Sequence, residues 1–226
     1  MNQKKFDIGE SLRFGWETFK SNIGFLILIV LIFWVVEGIF SVPTYAVRNQ
    51  AVILIFNILG FVIAVFVAIA TIKISLRFLA GGPGDFTDLY EGYPRFLDML
   101  VGQILYALIV IAGLILLIVP GIIWGLKYQF YPYLIIDKDM GSVDAIKRSG
   151  QITMHQKGHL FLFWLAVVGI NILGAVACGI GLFITIPLTF LAHAHIYRRL
   201  EYASEVAQPV APTPDPAQPV PPAPEG

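Results

Sequence analysis

The chain has 226 residues, of which 57% are hydrophobic and only 13% are charged. An ordinary soluble domain is about 45–50% apolar, so the composition argues against a soluble protein. Lys and Arg together number 15, as do Asp and Glu, and this balance argues against nucleic acid and acidic substrates as partners. The single cysteine, Cys178, excludes an internal disulfide.

The first 22 residues are polar and predict an amphipathic helix at the cytoplasmic surface of a membrane. Ile8, Leu12, Trp16 and Phe19 fall on one helical face, and Asp7 is placed to cap the helix. The apolar run that follows is longer than the roughly 7–15 residues of a signal-peptide core, and no small-residue cleavage site follows it. It therefore predicts a retained first span.

Six apolar runs follow one another along the chain, and each is about long enough to cross a bilayer. About 20 helical residues span the roughly 30 Å hydrocarbon core. The fourth run is short and contains Lys127. It is either a tilted partner of the third run or a re-entrant hairpin, with Pro120 and Gly121 forming the turn before it. The predicted spans are residues 23–40, 51–72, 99–119, 121–136, 160–177 and 180–197.

Basic residues are concentrated in the segments that six spans would place on one face. These segments are residues 1–22, 73–98, 137–159 and 198–226, and they hold 13 of the 15 Lys and Arg residues. Because Lys and Arg in short loops stay on the cytoplasmic side, the pattern predicts a bacterial inner-membrane protein with both termini in the cytoplasm. Residues 23–200 form the predicted six-span membrane domain.

The predicted fold is an all-α integral membrane protein with six transmembrane helices arranged as three hairpins. A short amphipathic interfacial helix is predicted before each hairpin. Before the fifth span, Ser142 is placed to cap a helix whose apolar stripe begins with Val143 and Ile146. Before the third span, the stripe comprises Phe86, Leu89, Tyr90 and Tyr93. The alternative is that any helix entering a membrane shows such a pattern without a repeat.

Residues 201–226 are rich in Pro and Ala and predict a disordered cytoplasmic tail with polyproline-II character. The tetrapeptide Ala-Gln-Pro-Val occurs at residues 207–210 and again at 217–220. A flexible terminus is the preferred interpretation over a docking peptide, because a Pro-rich composition alone names no partner.

Ionisable and amide side chains inside the spans are the candidate functional residues, because polar groups are costly in lipid. Glu37 and Lys127 fall at a similar predicted depth near the outer side, with Asn57 nearby and Asn171 in the fifth span. They predict a polar site within the membrane. The interpretation preferred over such a site is that Lys127 extends to the interface beside neighbouring aromatic rings and that the Asn amides only join helices.

No motif for catalysis, a cofactor or a metal emerges from the sequence. His155 and His159 have the spacing of a metal-binding pair, but Gln156 occupies the place of the catalytic Glu in HExxH. His193 and His195 are two residues apart, so their side chains point to different sides of a helix. The sequence contains no phosphate-binding glycine loop and predicts neither an enzyme nor a bound cofactor or metal.

The second half of the chain resembles a bacterial family of multi-pass membrane proteins of unknown function. That family is related to the membrane domain of some glycerophosphoryl diester phosphodiesterases. The resemblance covers about residues 101–200 and implies six helical spans without catalytic residues, since the phosphodiesterase activity belongs to a separate soluble domain. The matching segments are Val119-Pro-Gly-Ile-Ile, Tyr131-Pro-Tyr, Ile135-Ile-Asp, Ser142-Val-Asp-Ala-Ile-Lys-Arg-Ser, Gly158 and an apolar hairpin that ends at Tyr197.

The sequence favours a non-enzymatic inner-membrane protein that binds membrane lipid, including anionic headgroups, or a membrane protein partner. Basic helices at the cytoplasmic surface suit either partner. The alternative function is a small transporter or channel with a polar site near Glu37 and Lys127. A membrane-embedded lipid enzyme is least favoured, because the spans carry too few acids, bases and nucleophiles at one depth.

Overall fold

The computed structural model describes residues 6–46, 49–89, 93–177 and 179–206. Within these ranges the chain forms nine α-helices and two short 3₁₀ turns, Phe86–Leu89 and Tyr93–Arg95, and no strand. The helices are α1 Ile8–Ser21, α2 Ile23–Ala46, α3 Gln50–Leu79, α4 Phe96–Leu116, α5 Ile118–Tyr128, α6 Tyr131–Asp137, α7 Ser142–Ile152, α8 Lys157–Val176 and α9 Leu182–Val206.

Four of the described helices are long and apolar enough to cross a membrane. They are Ile23–Ser41 within α2, all of α3, all of α4 and all of α8, with lengths of 19 to 30 residues. Helix α9 has 25 residues, but its second half is polar, and α5 has only 11. Among the described residues, four helices therefore have membrane length, against the six spans that the sequence predicts.

The fourth predicted span is not one helix. The chain turns at Leu117, which has an extended backbone, and α5 begins at the next residue. The predicted turn at Pro120 and Gly121 is therefore wrong by three residues. Pro120 lies instead in the first turn of α5, where its missing N–H removes no helical hydrogen bond. Helix α5 ends at Tyr128, and α6 begins at Tyr131.

Helices α5 and α6 together retrace α4 in the opposite direction. Gly113 and Gly121 allow the close approach next to the turn, since a Cβ on Gly113 would lie 2.8 Å from the Cα of Gly121. Further along, the hydroxyl of Tyr106 donates to the carbonyl of Gly125 at 3.1 Å. The ring of Tyr131 then covers α4 at the first turn of α6. The two short helices therefore occupy the place of one broken span.

Helix α7 supplies the polar groups that stabilise the break between α5 and α6. The backbone N–H of Phe130 donates to the hydroxyl oxygen of Ser149 at 3.1 Å, and both residues are buried. The carbonyl of Lys127 accepts from the hydroxyls of Ser149 at 3.2 Å and Thr153 at 2.8 Å. Because helix ends leave backbone groups without helical partners, these side chains replace the missing bonds.

We expect Ser149→Ala to destabilise the protein by about 1–3 kcal/mol, because it leaves the buried N–H of Phe130 without an acceptor. Unfolding in detergent micelles of increasing SDS content, followed by circular dichroism, measures the change. Ser21→Ala is the matched control, since Ser21 is exposed at the end of α1. Equal stability of the two variants would show that α7 does not support the break.

A helix, α1, lies where the first interfacial helix is predicted, and its buried face shares Phe19 with the predicted stripe. Asp7 caps the helix by accepting from the backbone N–H of Glu10 at 3.1 Å. Ser11, Gly15 and Phe19 are buried, whereas Trp16 is 43% exposed. The small residues face inward because α1 packs closely on α9: a Cβ on Gly15 would lie 2.5 Å from the carbonyl oxygen of Leu188.

The other two predicted interfacial helices need correction. Gly141 rather than Ser142 is the N-cap of α7, and the hydroxyl of Ser142 donates to the carbonyl of Asp98 at 2.7 Å. Val143 of the predicted stripe is exposed, whereas Ile146 is buried together with Ala145 and Ser149. The described part of the segment before α4 forms two 3₁₀ turns instead of a helix. Residues 90–92, which include Tyr90 of the predicted stripe, lie outside the described residues.

Helix α9 continues to Val206, so residues 201–206 of the predicted tail are helical. Residues 207–226, where the predicted disorder falls, lie outside the described residues. The largest cluster of buried side chains forms around the second half of α9, together with α3, α6 and α7. Its fully buried members include Phe130, Leu134, Ile152, Tyr197 and Leu200.

Candidate functional site

The polar segments before and after the apolar helices meet at one end of the molecule, called here the polar end. Ion pairs between distant segments join α9 to α1, to α7 and to the residue after α6. Another ion pair joins the segment before α4 to the α6–α7 loop. Because each pair links residues far apart in sequence, the polar end is a single folded layer. These pairs are Glu10–Arg199, Lys138–Glu205 at 2.8 Å, Arg148–Glu201 at 2.9 Å and Arg95–Asp139 at 2.7 Å.

The second half of α9 is the centre of this layer. Asp137, at the end of α6, accepts from the hydroxyl of Tyr197 at 2.7 Å and from the guanidinium of Arg198 at 3.2 Å. The hydrogen bond from Lys138 lowers the pKa of Glu205 and raises the pKa of Lys138 itself. Successive turns of α9 are therefore held by side chains from α6, from α7 and from the residue that follows α6.

A cavity of about 410 Å³ opens at the polar end between α1, α3 and α9. It is called here the interfacial cavity. Its apolar lining comes from α1 and α3, and α9 supplies basic and aromatic side chains. The arrangement therefore places cationic groups beside an apolar surface. The lining residues are Phe14, Leu79, His195, Arg198, Arg199 and Tyr202.

His195 is fixed in this cavity by two contacts from α1. Its Nδ1 lies 3.0 Å from the hydroxyl oxygen of Ser11, and its ring stacks on Phe14 with centroids 5.0 Å apart. Because Nδ1 is engaged by Ser11, Nε2 is the imidazole nitrogen left for another partner. The docking of α1 on α9 therefore builds this wall of the cavity.

The two arginines keep donors available even though each has a carboxylate partner. Arg198 pairs with Asp137 and Arg199 pairs with Glu10, yet their side chains remain 43% and 47% exposed. A guanidinium carries five N–H donors, so neither ion pair uses all of them. Arginine binds phosphate oxygens in the same planar geometry as carboxylates. The cavity can therefore accept a phosphate group against an apolar wall.

Two of the polar residues predicted near the outer side, Glu37 and Asn57, lie on α2 and α3. Glu37 is exposed on α2. Asn57 is exposed on α3 and donates to the carbonyl of Ile53, four residues earlier in the same helix, at 2.9 Å. Phe40 and Gly60 lie in close contact between these helices. Both polar residues therefore belong to the α2–α3 pair.

Lys127 and Asn171 lie in other parts of the bundle. Lys127 is in the last turn of α5, beside α7, and its ammonium is 3.0 Å from the hydroxyl of Tyr128 and 4.8 Å from that ring. Asn171 donates to the carbonyl of Val167 at 2.9 Å and lies 3.5 Å from the hydroxyl of Thr189. No hydrogen bond or ion pair between described residues joins any two of Glu37, Asn57, Lys127 and Asn171, and their common site stays a prediction.

The sequence signals for the interfacial cavity are weak. His195, Arg198 and Arg199 could be placed at a membrane interface from the sequence, but Phe14 and Leu79 come from distant helices without a common motif. Over the described ranges, no three His, Cys, Asp or Glu side chains lie close enough to hold a metal ion. The cavity therefore offers cations, hydrogen-bond donors and apolar contacts.

The apolar helices and the polar end define a helical membrane protein. In sequence, the chain is 27% identical over 238 residues to an uncharacterized protein of Mycobacterium bovis, and the alignment covers 92% of this chain and 73% of the relative. Uncharacterized proteins from two strains of Mycobacterium tuberculosis match with the same identity and coverage. The alignments with these relatives cover nearly the whole chain.

No protein-family model matches the chain, and no solved structure matches it. The uncharacterized mycobacterial relatives support the resemblance to bacterial proteins of unknown function. The relationship to the membrane domain of glycerophosphoryl diester phosphodiesterases stays a prediction.

Proposed function

We propose that this protein is a non-enzymatic integral protein of a bacterial inner membrane that binds anionic phospholipid in the interfacial cavity. The observation that carries the proposal is that Arg198 and Arg199 line the same cavity as the apolar side chains of Phe14 and Leu79. A phospholipid carries a phosphate, which matches the arginines, joined to acyl chains, which match the apolar side chains. The guanidinium donors bind the phosphate, and the apolar wall packs on the upper acyl chain.

The proposed topology has six membrane passes with both termini in the cytoplasm. Helices α2, α3, α4 and α8 supply four passes, α5 with α6 supplies a broken pass, and the apolar first half of α9 supplies the last. The charge bias of the polar segments supports this orientation, because Lys and Arg are retained on the cytoplasmic side. In this topology the interfacial cavity faces the inner leaflet, where anionic headgroups attract basic residues.

We expect Arg199→Gln to weaken phosphatidylglycerol binding about tenfold, because it removes one charge-assisted hydrogen bond to the phosphate. Native mass spectrometry of the protein in detergent, titrated with phosphatidylglycerol or phosphatidylcholine, measures both affinities. Because Arg199 and Glu10 are both about half exposed, losing their ion pair has little effect on folding.

Arg13→Gln is the matched control, since it removes the same charge from a 79% exposed side chain on α1 outside the cavity. It retains wild-type affinity if the cavity is the site. Equal weakening by both variants would indicate a general charge effect. Equal affinity of the wild type for both lipids would overturn the proposal.

A further inference from the structure

A second cavity, of about 380 Å³, lies among the apolar helices α2, α3, α8 and α9. It is called here the inner cavity. Aromatic and aliphatic side chains form most of its surface, including Phe33, Trp34 and Phe190. Its polar lining comes from Thr71, Thr189 and His193. Its volume falls within the roughly 300–1,000 Å³ of small-molecule pockets.

His193 is the polar group that marks this cavity. Aromatic rings surround it: the centroid of Phe130 lies 4.9 Å away, that of Phe163 5.7 Å and that of Tyr133 5.8 Å. Its Nε2 is buried and has no hydrogen-bond partner among the described residues. Because Nε2 is enclosed by these rings, the part of the imidazole left for a ligand is the edge that lines the cavity.

The neighbouring polar groups offer acceptors rather than free donors. The hydroxyl of Thr71 donates to the carbonyl of Val67 at 2.8 Å, and that of Thr189 donates to the carbonyl of Ile186 at 3.0 Å. Both hydroxyl oxygens therefore keep lone pairs for a ligand. Behind Thr189, the Oδ1 of Asn171 is also buried without a partner among the described residues.

The lining of the inner cavity contains no Lys, Arg, Asp or Glu. A phosphate, carboxylate or ammonium group would enter an apolar site without a countercharge, which is strongly unfavourable. The ligand is therefore uncharged. A hydroxyl both donates and accepts, so it can bond in either tautomer to the edge of the His193 imidazole that lines the cavity, and it can also donate to a threonine oxygen.

We infer that the inner cavity binds an uncharged lipid with a hydroxyl headgroup, of the diacylglycerol class. The hydroxyl bonds to His193 and Thr189, the glycerol ester region fills the cavity between α2 and α9, and the acyl chains continue into the surrounding lipid. This site is separate from the interfacial cavity and does not depend on phosphatidylglycerol binding there.

Trp34 in the cavity lining provides a direct fluorescence test. A variant carrying Trp16→Phe, Trp124→Phe and Trp164→Phe retains Trp34 as its only tryptophan. It is reconstituted in phosphatidylcholine nanodiscs and titrated with diacylglycerol that carries brominated acyl chains, which quench tryptophan. We expect saturable quenching that exceeds the quenching by brominated phosphatidylcholine at the same mole fraction and is reversed by unlabelled diacylglycerol.

His193→Phe keeps a ring of similar size and removes the nitrogens, so we expect at least a tenfold loss of diacylglycerol affinity. His159→Phe is the matched control, because His159 lies on α8 outside both cavities. If His193→Phe does not fold, as judged by circular dichroism, Thr189→Val tests the same hydroxyl contact and should also weaken binding.

Two results would overturn this inference. One is quenching by brominated diacylglycerol that equals quenching by brominated phosphatidylcholine. The other is wild-type affinity for the analogue that carries hydrogen in place of the hydroxyl, since it can neither bond to His193 nor donate to a threonine oxygen. Failure here with intact phosphatidylglycerol binding leaves the proposed function unaffected, and the reverse result leaves the inner cavity unaffected.

Discussion

Replacing Arg148 by Met should destabilise the protein by about 3–5 kcal/mol, because it leaves a buried carboxylate without its countercharge. Arg148 donates to Glu201 at 2.9 Å and to the hydroxyl of Ser204 at 2.8 Å. The side chain of Glu201 is only 5% exposed, Arg148 bonds to its Oε1, and its Oε2 has no hydrogen-bond partner among the described residues. Unfolding in mixed detergent micelles measures the loss.

Lys147→Met is the matched control for this prediction. It removes the same charge from the neighbouring residue, but the pair of Lys147 with Asp144 is 3.9 Å long and about 70% exposed on both sides. We expect a change within about 0.5 kcal/mol. The double variant Arg148→Met with Glu201→Leu should recover most of the lost stability, since no buried charge remains unpaired. A double variant as unstable as Arg148→Met would contradict this explanation.

The apolar helices could be predicted because the signal for them is local. The predicted spans 23–40 and 160–177 differ by only a few residues from the membrane-length segments Ile23–Ser41 and Lys157–Val176. A run of apolar residues favours helix in lipid wherever the rest of the chain lies. The charge bias is also readable without tertiary information, which is why the polar segments could be grouped before their ion pairs were known.

The break in the fourth predicted span could not be found in the same way. Residues 121–136 are nearly continuous in hydropathy, and Pro132, in the first turn of α6, is the local signal for an interruption there. The backbone groups released at the break are bound by Ser149 on α7 and by Thr153 at its end. The proline therefore marks the region of the break, but the partners that stabilise it lie in a distant segment.

The candidate cavities show the same limitation in another form. The sequence directed attention to ionisable residues inside the spans, such as Glu37 and Lys127, because charge is rare there. The inner cavity instead depends on His193, which the sequence places near an interface with no stated role. Its significance comes from its place in the cavity lining and from the rings packed on its other side. Those features arise only when α2, α3, α8 and α9 pack together.

Helical periodicity identifies most of the side of α1 that faces the protein. Phe19 is buried and Leu12 packs against the core, whereas Trp16 is exposed. The apolar stripe does not include Gly15. In the structure, α1 approaches the backbone of α9 so closely that only a small residue fits, and Gly15 occupies that position. Small residues at helix contacts are common in membrane proteins because they let two backbones approach. The size of Gly15, rather than its hydropathy, therefore determines how α1 packs.

Gly15→Val should separate α1 from α9 and reduce stability by about 3 kcal/mol, at the upper end for overpacked sites. The first carbon of the new side chain would lie 2.5 Å from the carbonyl oxygen of Leu188, a backbone atom that cannot rotate away. Trypsin cleavage at Arg13 and Lys20 measures the separation, because a docked helix protects these bonds. Phosphatidylglycerol binding should fall at the same time, since α1 supplies Phe14 to the interfacial cavity.

Gly24→Val is the control, because a Cβ at Gly24 in α2 meets no other atom within 4 Å. It should leave the trypsin pattern and lipid affinity unchanged, and valine's better helix propensity should offset any local cost. If Gly15→Val exposes α1 but phosphatidylglycerol still binds normally, the arginines of α9 suffice without the apolar wall. If α1 stays protected, the close contact with Leu188 does not hold it in place. Loss of docking together with loss of binding would show that the first helix completes the lipid site.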